Sequence, residues 1–151
     1  MLDSRNVANR FLELARDRGD ALTPMQLLKL VYIAHGWTLG LLGRPLIRDD
    51  VEAWQYGPVI PRLYNAVRQF KSHPVEGSIK ANAEQITGPE DSIIRQVYEI
   101  YGARSGPALS RLTHQSGSPW ATVYQRGEYG TVIPNDLIED HYAELAKRAS
   151  A

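Results

Sequence analysis

The segment Thr23–Gly43, TPMQLLKLVYIAHGWTLGLLG, constrains the fold more than any other part of this chain. It opens with an N-cap Thr, a Pro at the first helical position and a Gln three residues after the cap, which is the signature of a capping box. Its apolar residues are not confined to one stripe. A helix that is apolar on nearly every side is stable only when other elements surround it. The segment is therefore read as a central helix, with Leu27, Leu30, Val31, Ala34 and Leu41 in the core. Lys29 is left as its exposed candidate, and Gly36, Gly40 and Gly43 serve close helix approach and termination.

The flanking sequence supplies the enclosing elements. Val7, Ala8, Phe11, Leu14 and Ala15 recur at spacings of three and four, so Ser4–Arg18 reads as an amphipathic helix capped by Asp3 or Ser4 and ended by Gly19. Pro61 opens a helix to Phe70. Ile93, Ile94, Val97, Tyr98 and Tyr101 mark another, Ser105-Gly106-Pro107 and Ser118-Pro119-Trp120 start two short ones, and Asn135 caps a last helix. The expectation is an all-α single domain over residues 1–151, about six helices, with at most a short β-hairpin near 46–56 and 125–133. Residues 71–90 are polar and rich in breakers, which predicts a mobile loop.

Composition excludes several classes. Lys+Arg and Asp+Glu both number 17, so phosphate neutralisation over the whole domain is not on offer. No cysteine is present, which removes disulfides and thiolate chemistry and suits a reducing, cytoplasmic setting. No signal peptide is readable at the N-terminus, and the longest apolar run is too short and polar for a membrane span.

Chemistry-bearing patterns are sparse. The histidines His35, His73, His114 and His141 make no metal-ligand spacing, and no metal or other cofactor is expected. His114 stands near Ser116 and Ser118, but no nucleophile–base–oxyanion set is readable around it. No catalytic residue is assigned. His35 reads as a core histidine. The helix RLYNAVRQFK offers Arg62, Arg68, Gln69 and Lys71 as a basic face, the best available for DNA, yet such a face on a short helix is ordinarily a solvated surface.

The loop AWQYGPVIPRLY stands out instead. Trp54, Tyr56 and Tyr64 flank the turn residues Gly57, Pro58 and Pro61, with Arg62 and Arg68 beside them. Rigid aromatic and arginine side chains are the usual anchors of protein interfaces. The opposing reading is that Trp54 and Tyr64 simply pin the loop to the core.

An ordered set of motifs then carries a resemblance. Lys29-Leu30, Tyr32-Ile33-Ala34-His35-Gly36-Trp37, Glu52-Ala53-Trp54, Gly57-Pro58-Val59-Ile60-Pro61-Arg62-Leu63-Tyr64, Leu109-Ser110, Thr113-His114 and Pro119-Trp120 follow one another over about residues 5–125. In this the chain resembles the Panacea antitoxin domain family, the SocA-like and GepA-like phage-associated proteins. The resemblance implies a non-enzymatic helical domain that binds and neutralises a cognate protein toxin encoded beside it. Its members pair with very different toxins. The SocA-like branch further implies an adaptor that delivers the toxin to a Clp-type protease. The motif residues Lys29, Tyr32, His35, Gly36, Trp37, Thr113, His114, Pro119 and Trp120 are read as structural. Trp54, Tyr56, Gly57, Pro58, Pro61, Arg62, Tyr64 and Arg68 are the toxin-binding candidates. A DNA-binding regulator of a mobile element and a small hydrolase around His114 are the competing readings, and self-association is left open.

Overall fold

The computed structural model describes residues 1–150. Seven α-helices are present among them: α1 (Ser4–Asp17), α2 (Pro24–Leu42), α3 (Pro61–Val67), α4 (Gly88–Tyr101), α5 (Gly106–Thr113), α6 (Pro119–Val123) and α7 (Asn135–Ser150). The chain is a mainly helical domain with one small sheet. Local chemistry starts most of these helices as the sequence predicts. The Asp3 carboxylate accepts from the Arg5 amide, the Thr23–Gln26 capping box closes both ways, and the Ser105 and Ser118 hydroxyls accept from Ala108 and Ala121.

α2 runs through the middle of the molecule. It packs most extensively on α7, then on α5, α4 and α1. Leu27, Leu30, Val31 and Ala34 are buried as expected. Leu41 is not: it is 54% exposed, because its side chain faces the open cleft between α2 and α4 rather than α7. The contact with α7 depends on glycine. A Cβ at Gly40 would stand 2.8 Å from the Tyr142 carbonyl carbon and 2.9 Å from the Ala143 amide nitrogen. Backbone atoms cannot swing aside, so the two helices reach this separation only with glycine there.

His35 ties three segments together from the centre of α2. Its Nε2 lies 3.0 Å from the Asn135 side-chain oxygen at the start of α7. Its Nδ1 accepts from the amides of Leu46 and Ile47, each at 3.3 Å. This set of partners defines a neutral ring that donates from Nε2, and burial lowers its pKa in the same sense. The carboxylate of Asp49 accepts from both the amide and the hydroxyl of Ser4.

The sheet has three short antiparallel strands in the order β2-β1-β3: β1 (Glu52–Trp54), β2 (Gly57–Val59) and β3 (Thr131–Val132). The two predicted windows do pair, with Glu52 opposite Val132 and Ala53 opposite Thr131. The hairpin itself closes differently. Gly57-Pro58, which reads as a turn, is strand, with Ala53 opposite Pro58. Pro58 is tolerated because β2 is an edge strand, where the missing N–H breaks no ladder.

The predicted mobile loop is instead a strap. Asn9 donates to the Ile79 carbonyl at 2.9 Å and accepts from its amide at 2.7 Å, and the Val75 amide donates to Leu22. Val75 and Ile79 are buried, and Glu84 accepts from the Asp3 amide and from Arg48.

Candidate functional site

The β1–β2 hairpin is fastened to the helices through its backbone carbonyls. The Trp120 indole donates to the Trp54 carbonyl at 2.6 Å, the Ser110 hydroxyl to the Tyr56 carbonyl at 2.8 Å, and the Lys29 ammonium to the Pro58 carbonyl at 2.8 Å. Three donors from three helices thus hold three alternate residues. Between the hairpin, α3 and the first turns of α2 lies an open groove of about 570 Å³. That is within the usual range for a binding cleft.

Trp54 forms its aromatic wall. Its ring centroid is 5.0 Å from that of Tyr64, edge to face, and 5.1 Å from that of Tyr129. The Arg68 guanidinium sits 5.8 Å from the Tyr64 ring centroid, within cation–π reach. Tyr56 and Tyr129 stand largely in solvent, 70% and 77% exposed. Met25, Leu28 and Val59 complete the apolar lining.

Lys29 lies at the base of this groove and is the largest departure from the sequence reading. Expected on the surface, it is 4% exposed and its ammonium makes one hydrogen bond, to Pro58. Burial pulls its pKa down to about 8. Gly57 explains how the hairpin accommodates it. With φ at 124°, Gly57 adopts a conformation that other residues avoid, and a Cβ there would stand 2.8 Å from the Lys29 nitrogen.

The predicted interface residues separate into two groups. Trp54, Tyr56, Tyr64 and Arg68 share the groove. Gly57 and Pro58 are buried, and Pro61, half-buried, opens α3. Arg62 belongs to a different cluster: it pairs with Asp3 at 3.3 Å and Asp49 at 3.5 Å, and the Arg5 and Arg62 guanidinium groups hold the Asp3 carboxyl well below the usual carboxylate range. Tyr129 and Lys71 complete the groove; Lys71 is the end of the basic face read from the sequence, and Tyr129 was not anticipated. The clue at Tyr129 was an aromatic beside Gly130 in an otherwise polar turn.

The motif residues lie beneath and around the site. Tyr32, His35, Gly36, Thr113 and Pro119 are buried, while Trp37, His114 and Trp120 are half-buried. Thr113 bonds back to the Leu109 carbonyl, and the Trp37 indole donates to the Tyr101 hydroxyl. His114 caps the end of α5 with its ring edge-on to Trp120, and its Nδ1 has no partner among the described residues. The Ser118 hydroxyl is occupied as the α6 cap.

The family model described as "Antitoxin SocA-like, Panacea domain" matches residues 27–121. The chain belongs to this family. One curated relative, Antitoxin SocA of Caulobacter vibrioides (strain NA1000 / CB15N), is 32% identical over 132 residues, spanning 81% of this chain and 70% of its own. No solved structure matches the chain. Family membership supports an antitoxin role, and no helix among the described residues is long and apolar enough to cross a membrane. The matched segment contains the three carbonyl clamps and most of the groove. Tyr129 lies beyond it.

Proposed function

We propose that this Panacea-domain protein neutralises a cognate protein toxin by direct binding, and that the groove beside the β1–β2 hairpin is the contact surface. The observation that carries this is one groove that gathers Trp54 and exposed Tyr56 from the clamped hairpin, Tyr64 and Arg68 from α3 and the residue after it, and exposed Tyr129 from the turn before β3. Pre-positioned aromatic and arginine side chains lose little entropy on binding and dominate interface energies. No catalytic step is invoked. The DNA-binding reading is weaker than the sequence left it, since Arg62 is committed to Asp3 and Asp49.

The test is co-expression with the product of the adjacent reading frame. Wild-type chain should restore growth, and calorimetry should show a direct complex. Tyr56→Ala with Tyr129→Ala should retain the wild-type melting temperature, because both rings are solvent-exposed, and weaken binding at least about tenfold, or about 1.4 kcal/mol. Unchanged affinity in the folded double variant removes this face from the interface.

A second surface favours the adaptor reading. An adaptor needs a face for its protease besides the one for its cargo. The cleft between α2 and α4, lined by Trp37, Leu41, Val97 and Ile100, leaves Leu41 and Ile100 54% and 61% exposed. In a reconstituted degradation assay with a Clp-type protease, Leu41→Ser with Ile100→Ser should abolish delivery and leave toxin binding intact. Loss of both together, or of neither, argues against two faces.

A further inference from the structure

We infer that the hairpin groove selects an acidic segment of its partner, one that lays an apolar side chain against Trp54 and Tyr64 and presents carboxylates to Lys29, Arg68 and Lys71. This rests on the groove being the contact surface, and adds the chemistry of what it accepts.

Three cations meet there from separate positions: Lys29 on α2, Arg68 just after α3, and Lys71 three residues on. No Asp or Glu lines the groove. None of the three makes an ion pair among the described residues, whereas Arg10, Arg44, Arg48, Arg62 and Arg95 are all paired elsewhere on the molecule. Glu52, the acidic residue of the hairpin, accepts from the Trp54 indole at 3.0 Å and is not part of the lining. The excess of positive charge is therefore local, on a chain whose formal net charge is zero.

Lys29 sharpens the argument. An ammonium has three donors, and this one, nine-tenths buried, has one protein acceptor in Pro58. Burying a charge without a counter-charge is costly, and a carboxylate entering beside it offsets that cost. The aromatic wall supplies the remaining requirement, an apolar anchor site next to the charges. A nucleic-acid strand fits less well. Only Arg68 and Lys71 are exposed to track a phosphate backbone, and the rest of the chain contributes no net positive field.

The experiment uses the full chain and the adjacent-frame product as probe. Calorimetry with Arg68→Glu plus Lys71→Glu, both surface changes that leave the core untouched, should show affinity lower at least tenfold. Wild-type affinity should fall with added salt and that of the double variant should not. Selecting toxin variants that again require the double-reversal protein for growth should return Asp or Glu changed to Lys or Arg. Wild-type affinity in the double variant overturns the inference. So does displacement of the toxin by a single-stranded oligonucleotide. If charge reversal has no effect while Tyr56→Ala with Tyr129→Ala abolishes binding, the interface stands and only the acidic selectivity falls. If wild-type chain does not bind the adjacent-frame product at all, both readings fall.

Discussion

Replacing Lys29 by Met should change how stability responds to alkaline pH, and the size of the change can be worked from burial. Lys29 loses its proton near pH 8 in the folded chain against an ordinary value of 10.5. Below pH 8 it is protonated in both folded and unfolded chains and adds no pH dependence. Between the two values the unfolded chain holds a proton that the folded chain has released, so stability rises with pH. At roughly 1.4 kcal/mol per pH unit the whole gap is worth about 3 kcal/mol, of which about 2 kcal/mol develops from about pH 7.5 to about pH 9.5. Above that window the tyrosines act in the opposite direction. Tyr98 is pushed up to about 12 by burial and by Asp20, so the unfolded chain releases protons that the folded one retains. The assay is urea unfolding at a series of pH values, read as midpoint with the slope m held common. Wild type should gain stability across the window and Lys29→Met should be flat. Parallel curves for the two proteins would refute the assignment of Lys29 as a buried, charged amine.

Gly40→Ala should lose about 1–2 kcal/mol in thermal unfolding, since overpacking against the α7 backbone outweighs the helix-propensity gain of about 1 kcal/mol; a stabilised variant would show that α2 and α7 are not in such close contact. His35, with its pKa lowered by burial, should make wild type less stable as pH falls below about 6.5, because the unfolded chain takes up a proton that the buried ring refuses. His35→Gln should remove this acid response, while that of His141, whose pKa is also lowered by burial, persists. An identical acid response in the two proteins argues against a neutral His35.

The helical frame was legible because its signals are local. Thr23, Gln26, Ser105 and Ser118 act within one turn of themselves, and the capping bonds they make are the ones their spacing predicts. The stripes Val7–Ala15 and Ile93–Tyr98 needed only a helix to define their buried faces. Legibility failed where the outcome depends on what arrives from far along the chain. Lys29 is buried because a hairpin settles over it and offers the carbonyl of Pro58, 29 residues later in the chain. The 71–90 segment looked like solvent-facing loop because an anchor such as Asn9 on α1 lies 70 residues from the Ile79 it holds. Leu41 carried the right hydrophobicity for a core position but faces the open α2–α4 cleft rather than α7. At the site, Trp54, Tyr56, Tyr64 and Arg68 could be grouped because they are close in sequence. Arg62 sits among them in the chain yet answers to Asp3 and Asp49, a pairing that no local pattern encodes.

The carbonyl clamps bear on how such a surface can diversify. Because Trp120, Ser110 and Lys29 grip the main chain of the hairpin at residues 54, 56 and 58, its position is specified by atoms that every amino acid possesses. Outward side chains such as Gln55, Tyr56 and Tyr129 can then be exchanged with little penalty to the fold, much as the tips of antibody loops vary over a fixed framework. A library randomised at these three positions, with the clamp residues and Gly57 held constant, would yield folded members with altered partner preference. Randomising the clamps instead would cost the hairpin its place before any new specificity could arise.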